Sequence, residues 1–246
     1  MSKNVQVLIR AGKETELFWQ RGIPQETPEV RQPSIHIDPI VQEEDAKLVQ
    51  RVFLLPGREV PRVVVFCGFG HGDGTVRICA RAGESLANLT GSTVCVVEGD
   101  FHSPSMHQYF GVDDIRGLTD AVFESGPIRD FVQHLPGRKL SVLSAGSRCG
   151  EAQALWKSER LRSRIAELRA EFSYVLIDGP PVNLHIDATL LGQMADGVIL
   201  ILESNVTRRE TARTVKENLA AANVKLLGAV LNNRTFSIPE SLCRKL

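Results

Sequence analysis

The stretch that decides the fold is VVVFCGFGHGDGTVRIC, residues 63–79. Its first five residues are apolar and read as a strand covered on both faces. Gly68, Gly70, Gly72 and Gly74 then alternate with other residues, and a helical pattern opens at Thr75, Val76 and Arg77. Strand, glycine run, helix is the layout of a phosphate-binding loop. Glycines let successive backbone N–H groups turn toward an anion, and the helix N-terminus adds partial positive charge. A tight strand–helix turn needs fewer glycines than this.

Outward from the loop the pattern alternates. Strands are predicted at 62–67, 93–98, 140–143, 174–178, 197–202 and 226–231, all short and rich in Val, Ile and Leu. Helices are predicted at 41–55, 76–88, 117–124, 151–171, 188–194 and 208–221. The expected fold is α/β: a doubly wound, mainly parallel sheet with helices on both faces. Residues 1–40 are polar and broken by Pro24, Pro28, Pro33 and Pro39, which reads as an extended arm ahead of a domain at 41–246.

Ligands of such sheets bind at the carboxyl ends of strands. Two further strand ends carry acids. Glu98 and Asp100 close the second strand in VCVVEGDFHSP, where a carboxylate can position a metal-bound water or act as a base. Asp178 closes the fourth in YVLIDGPP, where a carboxylate facing a phosphate loop can hold Mg²⁺. A dinucleotide-binding fold shares this outline, with Glu98 as its ribose acid. Its fingerprint needs glycines at positions 1, 3 and 6, but the sixth residue is Asp73 counted from Gly68 and Thr75 counted from Gly70.

Acidic and basic residues balance at 29 each, so bulk charge gives no case for nucleic acid as a partner. Hydrophobic residues make up 43%, enough for a sizeable core. The five cysteines are scattered, never CxxC, and fit a reducing cytoplasm. No apolar run approaches the ~20 residues of a membrane span, so a membrane role is expected to run through a protein partner. His102 and His107 read as loop histidines and His71 as an exposed loop residue. The basic run at 208–216 reads as a solvated helix face. Phe18 and Trp19 are candidates for docking a partner.

Taken in order, these motifs resemble the bacterial tyrosine kinases of capsule and exopolysaccharide synthesis, members of the deviant-Walker P-loop group with MinD and ParA. GFGHGDGTV lies over the family's Ser-Ala-x-x-Gly-Glu-Gly-Lys-Ser/Thr loop, EGDFHSP over its second carboxylate motif, and LIDGPP followed by Asp187-Ala188 over its third. GLTDAV (117–122), LSVLSAG (140–146) and LGAVLNN (227–233) resemble its other landmarks. The resemblance implies ATP or ADP with Mg²⁺ as cofactor, held by Gly70, Gly72, Asp73, Gly74, Thr75, Val76, Arg77 and Asn232. It gives Asp100, Asp178 and Glu98 the catalytic places, with Asp178 and Asp100 at the metal. It also implies a cytoplasmic protein at the inner membrane, partnered by a polysaccharide co-polymerase or transport protein and able to form homo-oligomers.

The departures carry the functional expectation. Thr75 stands where the family has lysine, Val76 where it has the metal-binding hydroxyl, and Glu98 where it has aspartate. Two compensations are open: the Thr75 hydroxyl if the loop slips by one residue, and the charge of Arg77. The tyrosine-rich tail of the family is missing, since the chain holds only Tyr109 and Tyr174. The ring-assembly Glu-x-x-Arg-x-x-Arg is matched at best by Glu44, Lys47 and Gln50. The expected protein is a kinase-like regulator or scaffold without catalysis. The alternatives are an active ATPase or tyrosine kinase with a non-standard loop, and an unrelated nucleotide- or dinucleotide-binding α/β protein.

Overall fold

The computed structural model describes residues 39–55, 59–70, 72, 74–156 and 158–233. The arm expected at 1–40 lies outside the described residues except for its last two. Pro39 opens α1 (Pro39–Phe53), where its fixed φ suits a first helical turn. The chain then runs β1 (Val63–Cys67), α2 (Thr75–Thr90), β2 (Val94–Glu98), α3 (Met106–Phe110) and α4 (Leu118–Phe123). It continues through β3 (Gln133–His134), β4 (Leu140–Leu143), α5 (Ala152–Trp156), α6 (Glu159–Glu171) and β5 (Tyr174–Gly179). α7 (Asp187–Met194), β6 (Gly197–Glu203), α8 (Arg209–Ala221) and β7 (Leu226–Asn232) complete it.

The seven strands form one sheet in the order β3-β4-β2-β5-β1-β6-β7. Every pairing is parallel except β3 with β4. The alternation within β1 shows why both faces must be covered. Val63, Val65 and Cys67 enter one apolar cluster with residues of α4, α6, α7 and α8. Val64 and Phe66 enter the other with residues of α1 and α2. All five are fully buried. Cys67, Cys79 and Cys95 are buried in the same clusters and act as small hydrophobes.

The order places β5 between β2 and β1, so the three polar strand ends noted above become neighbours. Glu98 is the register partner of Asp178, and Phe66 pairs with the same residue on the other side. The chain leaves β1 toward β2 on one side and leaves β5 toward β6 on the other, so the carboxyl ends of this pair form a switch point, the usual ligand crevice of such sheets.

One expectation needs correction, and one element had none. The helix expected over 151–171 is broken, because Ser158 caps α6 by accepting the Arg160 N–H at 3.2 Å. The hairpin of β3 and β4 was not expected. It is turned by Pro136-Gly137, with Gly137 at φ 72°, a conformation glycine adopts without strain.

Candidate nucleotide site

A cleft of about 610 Å³ opens at the carboxyl ends of β1, β2 and β5. Its floor is the glycine loop: Gly68, Gly70, Gly72 and Gly74 all line it. Gly72 and Gly74 have φ of 80° and 85°, in the left-handed region. At Gly74 a side chain is disfavoured twice over, since a Cβ would also lie 3.0 Å from the Asn232 side chain, which would have to give way. Gly74 caps α2 without any side-chain hydrogen bond to the first turn. That helix end, with Gly74, Thr75 and Val76 at the cleft, presents its partial positive charge there.

Thr75, Val76 and Arg77 follow at the lip, with Asp100, Asp178 and Asn232 among the walls. The structure thus brings Gly70, Gly72, Gly74, Thr75, Val76, Arg77, Asp100, Asp178 and Asn232 to one cleft. Asp73 and His71 lie outside the described residues. Among the described lining residues there is no lysine. The cations there are Arg77, which is exposed and has no ion pair among the described residues, and Arg81, bound to Asp45 of α1 at 2.8 Å. Tyr109 of α3 stands across from them, its hydroxyl pKa pushed up to about 12 chiefly by burial.

The two acids of the second motif do different things. Asp100 faces the cleft, and its Oδ1 accepts the backbone N–H groups of His102 at 3.0 Å and Ser103 at 3.3 Å. Glu98 is fully buried below the cleft and does not line it. Its Oε2 accepts from the N–H of Ser105 at 2.8 Å and of Met106 at 2.6 Å, which anchors the start of α3. Burial raises its pKa to about 7 against the pull of those donors, and Asp178 lies close enough for the two carboxyls to share a proton.

A histidine pair at the rim is not legible as a unit in the sequence. His102 Nε2 lies 2.9 Å from Asp187 Oδ2, and its ring stacks on His185 with centroids 3.8 Å apart. This ties the second carboxylate loop to the start of α7. The landmarks GLTDAV and LSVLSAG also meet. The N–H groups of Leu118 and Thr119 donate to the Ser144 and Ala145 carbonyls, both at 2.9 Å. The buried Asp120 carboxylate accepts from the N–H of Gly117 and of Ser147, each at 3.0 Å. Gly117 packs so closely on this loop that a Cβ there would overlap the Ser144 carbonyl.

The glycine cradle, the uncapped helix and the strand order define a P-loop nucleotide-binding fold of the MinD and ParA kind. No family model matches the chain. The tyrosine-protein kinase YwqD of Bacillus subtilis (strain 168) is 31% identical over 167 residues, spanning 65% of this chain and 70% of that one. Among solved structures, the chimerical protein CapA2B2 is 25% identical, with a TM-score of 0.74 over 81% of this chain and 87% of that one. The septum site-determining protein MinD of Pyrococcus horikoshii OT3, complexed with Mg-ADP, shares the fold at 20% identity, with a TM-score of 0.58 over 75% of this chain and 76% of that one. The chain belongs to the bacterial tyrosine-protein kinase family.

Magnesium accompanies the nucleotide in such sites. Here Asp100 and Asp178 supply carboxylates, but Val76 in the first turn of α2 offers no oxygen. Thr75 is one residue earlier, about 100° around the helix, and 7% exposed. The donor set does not fit a magnesium shell built from that turn.

Proposed function

We propose that the chain is a kinase-like component of capsule or exopolysaccharide synthesis that acts by binding rather than by phosphoryl transfer. In this reading it regulates or scaffolds a membrane polysaccharide co-polymerase from the cytoplasmic side, held peripherally at the inner membrane by that partner. The observation that carries the reading is the lip of the loop, where Thr75 and Val76 stand in place of a lysine and a metal-binding hydroxyl. Losing one charge-assisted bond to a phosphate costs roughly 1.5–3 kcal/mol, or about ten- to a hundredfold in affinity. Catalysis loses more, because phosphoryl transfer rests on charge stabilisation and positioning.

The tyrosines support the same reading. Tyr174 begins β5 inside the sheet and Tyr109 is half-buried in the cleft wall. Neither sits on a free segment that could reach another active site. A second reading, an ATPase or kinase with a non-standard loop, is favoured by Asp100 and Asp178 in the cleft. The test is complementation of a strain lacking the gene with wild type or Asp178→Asn. Equal restoration of polymer is expected of a scaffold. Restoration by wild type alone would favour the enzyme.

A further inference from the structure

We propose that the groove between α8 and the edge strand β7 docks an acidic amphipathic helix of a partner protein. The inference rests on the scaffold reading only for the existence of a partner, and it names the surface that such a partner would use.

The sheet leaves one place uncovered. β7 ends it, so its outer flank has no strand neighbour among the described residues. Val198 and Leu200 of β6 are buried in the cluster that Val215 and Leu219 of α8 complete. Their register partners on β7 are Leu226 and Ala229, and Leu202 pairs with Leu231. Side chains of paired residues share a face, yet the cover runs out toward the edge: Ala229 is exposed and Leu231 is 53% exposed. What remains is a groove of about 460 Å³ with Leu200, Leu202, Leu226 and Ala229 along its floor. Helices on such a sheet pack side by side at about 8–10 Å. One more of them beside α8 is what would bury the apolar residues of β7.

Charge selects the kind of helix. Arg209, Arg213 and Lys216 line the groove from α8. Their spacing of i, i+4 and i+7 makes one stripe about 10 Å long. All three are exposed. Arg209 and Lys216 have no ion pair among the described residues, and Arg213 has Glu217 at 3.5 Å with both side chains largely in water. Glu210 is the one acid among the described lining residues. A helix with acids at the same spacing beside an apolar stripe meets both the floor and the cations. Residues 234–246 of this chain do not supply it, since they hold Arg234, Arg244 and Lys245 against Glu240 alone, the same sign as the stripe. A membrane surface fits less well, because four of the apolar residues line a concavity instead of projecting into lipid.

The experiment is fluorescence anisotropy of a labelled peptide titrated with the whole chain. The peptide has about 18 residues, five turns of helix, with Leu at every third or fourth position and Glu along one flank. A second peptide has Lys at each Glu. The expected result is saturable binding of the Glu peptide that weakens with salt, and none of the Lys peptide. Charge reversal in Arg209→Glu/Arg213→Glu/Lys216→Glu should weaken the Glu peptide by about tenfold or more and turn the preference to the Lys peptide. Leu231→Ser should weaken the Glu peptide as well. All four positions are exposed, so both variants are expected to fold. Equal binding of the two peptides, unchanged binding by either variant, no binding, or pelleting of the chain with mixed phosphatidylcholine–phosphatidylserine vesicles in place of peptide binding would overturn the inference. None of these outcomes touches the scaffold reading, which the Asp178→Asn complementation decides.

Discussion

Replacing Glu98 by glutamine should stabilise the protein at alkaline pH and leave it unchanged in acid. The carboxyl is fully buried, and burial lifts its pKa from 4.5 to about 7. The unfolded chain loses this proton near 4.5, while the folded chain keeps it until about 7. Folding is therefore unpenalised below 4.5, stability falls as pH rises through this window, and it levels off above 7. A rise of this size corresponds to roughly 3 kcal/mol at about 1.4 kcal/mol per tenfold, an upper figure for an acid beside a second carboxyl. Glutamine removes the ionisation. Its oxygen can still accept the Ser105 and Met106 N–H groups, and its amide can donate toward Asp178. Urea denaturation from pH 5 to pH 8 in EDTA would read the effect. Wild type should lose stability across the window, and Glu98→Gln should gain about 1–3 kcal/mol over it at pH 8. A wild-type curve without that loss, or a variant that falls with the same slope, would refute the reasoning.

Three other substitutions test the frame. Gly74→Ala places a Cβ on a left-handed residue at 3.0 Å from Asn232, so a loss of about 1–2 kcal/mol in thermal or urea unfolding is expected, together with weaker ADP binding. Arg164→Met removes the donor that the carbonyls of Ala121, Gly126 and Glu124 share at 2.6, 2.8 and 3.0 Å, and should cost on the order of 3 kcal/mol by denaturation. Gly83→Ala drives a methyl into Val96 where α2 crosses β2, and should cost about 1–3 kcal/mol by the same measurement.

The sheet was legible because its strands are apolar on both faces. A run such as VVVFC admits no solvent side, so helices must cover it twice. The carboxyl-end residues were legible for the same reason, since glycine or acid ends each run abruptly. Ser158 illustrates what was lost: an N-cap in the middle of a helical pattern is a local hydrogen bond that apolar periodicity does not register. The split between Glu98 and Asp100 was also hidden. The two are two residues apart and look equivalent, yet only pairing with β5 decides that Glu98 is sealed under α3 while Asp100 meets the cleft. The meeting of His102 with Asp187 spans 85 residues and follows from the strand order alone.

The most direct test of the central claim is release of γ-phosphate from Mg-ATP by the purified chain under single-turnover conditions, with Asp178→Asn as the blank. Wild type is expected to match the blank, while Thr75→Lys/Val76→Thr, which rebuilds the lip of the loop, is expected to rise above it. Release by wild type that disappears in Asp178→Asn would contradict the claim and make the chain a working enzyme.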